Sequence, residues 1–304
     1  MYDVITVGGA TLDIFLHSKD YSLAGNQFCL TYGGKHVAEE MALDVGGGGA
    51  NAAVGLSRLG LKTAFFGKIG QDLLGKLVKG RLREEKVGQD LLEISPDSSI
   101  SIVLLSNTGE KTLIMYRGDH DQLELSSELE QKLKKTKWIY LADLRGKVFT
   151  LINQVVALAK ENGIKVFFVP GVGELEWGLN KLVKISNNSE IVIMNKAELG
   201  GLLQEDINEL DMTQDFTNIF GCKIVVITQD IEGSFAYNGF KVFHEPAKRV
   251  KAVDATGAGD AYASGFLAEF IRTGEISAAM EMGTRNAAAV IAKIGAQKGL
   301  LRKG

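Results

Sequence analysis

From Trp138 onward the chain alternates short apolar runs with stretches of helical periodicity, and this rhythm constrains the fold more than any other feature. "WIYLA" (138–142) precedes "VFTLINQVVALAKENG" (148–163), whose apolar residues recur at helical spacing and whose end offers a glycine C-cap. "IKVFFV" (164–169), "EIVIMN" (190–195) and "KIVVIT" (223–228) follow as further runs, separated by the helical patterns "KAELGGLL" and "DMTQDFTNIFG". Near the start, "DVITVGG" and "KTAFFGKIG" (62–70) flank the helical "GANAAVGLSRLG". A run that is apolar at every position is buried on both faces, so helices must cover both sides of the sheet it joins. The expectation is an α/β fold with a doubly wound, mostly parallel sheet, ending in a helical region from Gly257 to Lys293 broken near "RTGEIS".

Two stretches interrupt the rhythm. Residues 13–45 hold short alternating pieces without a clear helix, and residues 99–117 read as two strand runs around the hairpin-like "SNTGEK". They predict a small β-sheet lid inserted into one α/β domain spanning residues 1–304, with edge strands of the main sheet as the alternative.

Several classes are disfavoured. A formal net charge of −3 supplies no basic excess for nucleic acid. No apolar run approaches the ~20 residues that span a bilayer, and "MYDVITVGGA" lacks the pattern of a signal peptide. Cys29 and Cys222 stand far apart, as expected in a reduced, cytoplasmic setting. The four histidines show no metal-site spacing. Glycine, at 36 of 304 residues, exceeds its usual share of about 7% and clusters between the apolar runs, where backbone turns sharply or approaches a ligand.

The motif richest in chemistry is "VDATGAGDAY" (253–262). Apolar residues from Ala261 to Phe270 recur at helical spacing, so a helix begins near Gly257–Asp260. Its first N–H groups lack intrahelical partners, and Gly257, Ala258 and Gly259 leave them open to an anion. Asp260, in that first turn, is placed to take a proton from a hydroxyl attacking a phosphoryl group, or is simply an acid favoured by the helix dipole. Asp254 and Thr256 suit a turn or an N-cap. There is no GxxxxGK[ST], and "GAGDAY" carries Tyr262 where a dinucleotide fingerprint needs its third glycine.

"VDATGAGDAYASGF" resembles the C-terminal signature of the ribokinase-like (PfkB) carbohydrate kinases, and "GGGGANAAVGLSRLG" (46–60) resembles that family's G-G-x-x-A-N stretch. "GGATLDIF" (8–15) is similar to its first strand and substrate-binding acid. "IVIMNKAEL" (191–199) is similar to its N-x-x-E segment, "VVITQDIEGSFAY" (225–237) to its nucleotide turn and "KIGAQKGLL" (293–301) to its C-terminal stretch. The resemblance implies Asp260 as catalytic base and Gly257, Ala258 and Gly259 as anion hole. It implies Asp13, Gly47, Gly48 and Asn51 as substrate contacts and Thr228 and Gly233 as nucleotide contacts. It implies Asn195 and Glu198 as partners of ATP and of Mg²⁺ through water; the same spacing fits an N-terminal capping box. Asp254, Thr256 and Gly295 match the neighbourhood of a monovalent-cation site, so K⁺ is a candidate cofactor.

Some positions depart from ribokinases proper. Thr11, Leu12 and Gly48 stand where Asn, Ala and Lys are usual, which weakens the case for ribose, and Asp230 stands at a usual glycine. Arg117, leaving the second lid strand, is placed to meet a carboxylate or phosphate of a substrate, or is an exposed charge at a strand end. The expectation is an ATP-dependent kinase acting on a hydroxyl of a sugar-like small molecule, with a lid that can pair two copies. A nucleoside kinase is the nearest alternative and a non-catalytic ligand sensor a more distant one.

Overall fold

The apolar runs pair as a parallel sheet because each buries side chains on both faces. The computed structural model describes residues 1–25, 27–108, 110–118, 123–144, 148–204 and 216–303. The strands are β1 (Tyr2–Val7), β2 (Thr11–Ser18), β3 (Ser22–Ala24), β4 (Gln27–Cys29), β5 (Glu40–Gly46), β6 (Thr63–Gly70), β7 (Leu92–Ser95) and β8 (Ile100–Ser106). They continue as β9 (Lys111–Tyr116), β10 (Thr136–Leu141), β11 (Lys165–Phe168), β12 (Ile191–Asn195), β13 (Ile224–Thr228), β14 (Ser234–Tyr237) and β15 (Val242–Glu245). The helices are α1 (Gly48–Arg58), α2 (Leu73–Glu84), α3 (Ser127–Leu133), α4 (Phe149–Glu161), α5 (Val172–Leu175), α6 (Leu179–Ser186), α7 (Lys196–Leu203), α8 (Phe216–Phe220), α9 (Ala258–Thr273) and α10 (Ile276–Ile291).

Among the described residues the main sheet has the order β15-β14-β13-β12-β11-β10-β1-β6-β7, parallel from β13 to β7 and antiparallel at β14 and β15. Successive residues of one strand serve opposite layers. Val4, Tyr140, Phe167 and Val226 pack with Tyr262 and Phe266 of α9, whereas Ile5, Ile139, Phe168 and Val225 pack with α4, α6 and α8. The helix read over 211–221 is described from Phe216 to Phe220; residues 211–215 lie outside the described residues.

The smaller sheet is separate, with order β5-β2-β8-β9. The stretch 8–15, likened to a first strand and its acid, spans the turn after β1 and the start of β2, which puts Asp13 in the small sheet, inside residues 13–45. Gly8, Gly9 and Ala10 end β1 and turn the chain before β2 begins at Thr11. β2 then pairs antiparallel with β5 and parallel with β8. No described helix is long and apolar enough to cross a membrane.

Candidate active site

The carboxyl ends of parallel strands, the N-termini of α1 and α9 and one face of the small sheet enclose a cavity of about 230 Å³. Crevices at such strand ends are where open α/β sheets bind ligands. Of the residues singled out from the sequence, Asp13, Gly47, Gly48, Asn51, Arg117, Thr256, Gly257 and Asp260 line it. Two glycines are required by backbone. Gly47 enters α1 at φ +89°, and a Cβ there would sit 2.6 Å from the Gly9 carbonyl oxygen. Gly257 enters α9 at φ +75°, and its Cβ would fall 2.5 Å from Cβ of Ala296. Both helix N-termini can therefore approach the cavity with bare backbone.

Asp260 is held by a relay of amides. Buried Gln297 donates from Nε2 to Oδ1 of Asn51 at 3.0 Å, and Asn51 donates from Nδ2 to Oδ2 of Asp260 at 2.9 Å. The Gln297 bond orients the Asn51 amide so that its donor faces the carboxylate. Burial pushes the Asp260 carboxyl up to about 6; the Asn51 bond opposes this, and the charge of Asp143 adds to it. Burial likewise raises Asp13 to about 6 against the Thr11 hydroxyl bond, with Asp44, Asp254 and Asp260 adding repulsion. Beside Asp260, Gly259 faces open space. The Ala258 N–H donates to the Ala255 carbonyl at 3.2 Å, while no backbone acceptor among the described residues serves the N–H of Gly259 or Asp260. The N–H groups left without a backbone acceptor at this helix end are therefore those of Gly259 and Asp260.

Asn195 and Glu198 form the reciprocal capping box. Asn195 N–H donates to Oε2 of Glu198 and Glu198 N–H donates to Oδ1 of Asn195, each at 2.8 Å. Glu198 also senses the cavity: burial raises its carboxyl, the Asn195 bonds lower it, and the charges of Asp143 and Asp260 raise it further. Thr228 lies beside Asn195 in register at the adjacent strand end. Gly233 closes the following turn at φ +95°, and Asp230 takes φ +45°, a left-handed conformation that Asp tolerates better than most residues. Asn195, Glu198, Thr228 and Gly233 do not line the cavity but extend the same edge of the sheet.

Asp254 is satisfied within the chain. Its Oδ1 accepts from Lys111 Nζ at 2.8 Å, Thr256 N–H at 3.0 Å and Thr256 Oγ1 at 2.6 Å, and its Oδ2 accepts from Gly295 N–H at 3.0 Å. Lys111 Nζ also lies 2.6 Å from Oγ1 of Thr256. Burial disfavours the Asp254 carboxylate, but these partners outweigh it and hold the pKa below the usual range. Among the described residues no cluster of three or more His, Cys, Asp or Glu is arranged to hold a metal.

The sequence reading missed Asp143, Lys111 and Gln297. Asp143 directly follows the apolar run 138–142 at the end of β10, so its place there was a usable signal. Lys111 shares strand parity with Leu113, Met115 and Arg117, which line the cavity. Gln297 lies inside the quoted stretch 293–301, but nothing there points to its partner Asn51, 246 positions away.

Comparison with known proteins bears on the family and the fold. The sequence model of the pfkB family carbohydrate kinase matches residues 3–303. A 5-dehydro-2-deoxygluconokinase of Bacillus licheniformis is 28% identical, over 96% of this chain and 90% of its own. The Arabidopsis thaliana ribokinase complexed with ribose and ATP superposes at TM-score 0.84 with 20% identity, covering 99% of this chain and 96% of that one. The adenosine kinase of Sinorhizobium meliloti superposes at 0.77 with 22% identity, covering 97% and 95%.

Proposed function

The chain belongs to the pfkB family of carbohydrate kinases, and from that premise we propose that it transfers the γ-phosphoryl group of ATP to a hydroxyl of a sugar acid. The observation that carries the choice of acid is Arg117. Among the described residues it is the only basic one lining a cavity that also presents Asp13, Asp143 and Asp260. A guanidinium pairs bidentately with a carboxylate, whereas the three acids suit hydroxyl groups. The relative from Bacillus licheniformis bears the name of a kinase for such an acid, which supports the reading.

In the proposed reaction Asp13 and Asn51 orient the sugar hydroxyls, and Arg117 holds the carboxylate at the small-sheet end. Asp260, positioned by Asn51 and Gln297, takes the proton of the attacking hydroxyl. The acceptor oxygen bonds to the γ-phosphorus as the bond to the bridging oxygen breaks, and ADP leaves. The N–H groups of Gly259 and Asp260, with bare Gly257 and Ala258 alongside, steady charge on the phosphoryl oxygens. Thr228 and Gly233 border the nucleotide. Asn195 and Glu198 would hold Mg²⁺ through water, since the mutual repulsion of Glu198, Asp143 and Asp260 favours a cation between them. When bound, that ion neutralises phosphate charge. The small sheet serves as a lid that excludes water, and its strand β9, at the edge of that sheet among the described residues, pairs with a second copy.

The test is a screen of ATP consumption with sugars, sugar acids and nucleosides as acceptors. A sugar acid should lead, and Arg117→Met should raise its KM by roughly 10- to 100-fold while leaving kcat for a neutral acceptor nearly unchanged. Preference for a nucleoside, or an unchanged KM for the acid in the variant, would overturn the reading.

A further inference from the structure

We propose that Lys111 is the cation of the loop leading into α9: a tethered ammonium that makes a free monovalent ion dispensable and couples closure of the small sheet to the shape of the phosphoryl site. The inference rests on the kinase reading but not on the identity of the acceptor.

The contacts are specific. Lys111 opens β9 in the small sheet, and its Nζ crosses to Asp254 Oδ1 at 2.8 Å and Thr256 Oγ1 at 2.6 Å in the main body. Residues Asp254 to Thr256 lead directly into Gly257 and the helix bearing Asp260. The Asp254 side chain is only 6% exposed, so this is not an ordinary surface pair. A buried carboxylate deprived of its cation is costly, and the loop would have to rearrange or recruit another positive charge.

The donor set explains why that charge is a side chain here. A free monovalent ion needs converging oxygens with lone pairs to spare. Both Asp254 carboxylate oxygens already accept hydrogen bonds, and Gly295 presents to this carboxylate an N–H, which is a donor. The side-chain oxygens Asp254 Oδ1 and Thr256 Oγ1 are thus not open to a free K⁺ while Lys111 is in place. An ammonium makes directional bonds to the same two oxygen-bearing side chains.

The coupling follows from strand parity. Lys111, Leu113, Met115 and Arg117 project to one side of β9 and its continuation, and the last three line the cavity. The strand that covers the acceptor therefore delivers the cation to the loop. Withdrawal of the small sheet would remove Lys111 from Asp254 and loosen the entry to α9. Lys111 touches no reacting atom in this scheme and acts as a positioning residue.

The test compares turnover in tetramethylammonium, potassium and ammonium chlorides at equal ionic strength. The wild-type protein should show the same kcat in all three, and clear activation by K⁺ would overturn the proposal. Lys111→Met in tetramethylammonium should lose about tenfold or more in kcat, as expected when a catalytic loop is misplaced. K⁺ or NH₄⁺ should restore most of that loss, and Lys111→Arg should retain activity. An undiminished kcat in Lys111→Met, or a loss that neither ion restores, would overturn it. A melting curve by circular dichroism confirms that each variant is folded. An acceptor-independent readout is anomalous scattering from thallium(I)-soaked crystals. A peak beside Asp254 is expected in Lys111→Met and not in the wild type; a wild-type peak there would sink the idea.

Discussion

As the proposed base, Asp260 has two opposed requirements. It must be ionised to accept a proton, yet burial favours its neutral form and lifts its pKa to about 6. Proton transfer is most effective when a base titrates near the working pH, so this lift suits the role. The ionised form is lost as pH falls through about 6, and Asp13 titrates in the same range. kcat/KM should be flat above neutrality and fall below pH 6 with a limb steeper than one proton, because two neighbouring carboxylates protonate together. A limb centred near pH 4 would contradict the placement of Asp260. The stability sign is opposite. A folded-state pKa above the unfolded value means that the native protein binds more protons between about pH 4 and 6, so stability declines as pH rises through that window. Asp260→Asn should therefore lower kcat by ~10²–10⁴-fold. It should also raise Tm modestly at pH 7.5, with the gain vanishing toward pH 4. Near-normal turnover would remove Asp260 from the mechanism.

At the scale of elements, local chemistry was the most legible. "IVIMN" followed by "KAELGGLL" placed β12 and α7, because an apolar strand, an Asn cap and Glu at the third helical position all agree. The motif around Gly257 likewise announced the start of α9. Contacts between distant segments were not legible. Lys111 meets Asp254 across 143 positions, and neither residue's neighbours betray the other. The path from β1 into β2 was less legible, since Gly8, Gly9 and Ala10 mark a turn without fixing which sheet the next strand joins. Gly257 offers an element-level test. An alanine there meets both a left-handed backbone and the side chain of Ala296. Gly257→Ala should cost ~1–3 kcal/mol in stability and lower kcat more than KM, measured by chemical denaturation and steady-state kinetics. A variant of wild-type stability and kcat would show that the entry to α9 tolerates a different path.

At the scale of the whole molecule, the proposed substrate contacts and the proposed pairing of two copies fall on one strand of the small sheet. β9 pairs with β8 on one side, and its other edge carries no described strand. Its residues facing away from the cavity include Ile114 and Tyr116, 57% and 53% exposed. An uncovered strand edge with apolar side chains is a template for pairing, and two copies meeting edge to edge would do so about a two-fold axis. Such pairing would hold the alternate residues Lys111, Leu113, Met115 and Arg117 in register over the cavity, because the two faces of a strand cannot move independently. Light scattering after gel filtration should therefore give the mass of a dimer. Ile114→Lys should shift it toward monomer by placing like charges near the axis. The same variant should raise the acceptor KM, since a strand without its partner orders the cavity face less well. A wild-type monomer, or a monomeric variant with unchanged KM, would separate assembly from substrate binding and leave the strand's cavity-facing residues to act without help from a second copy.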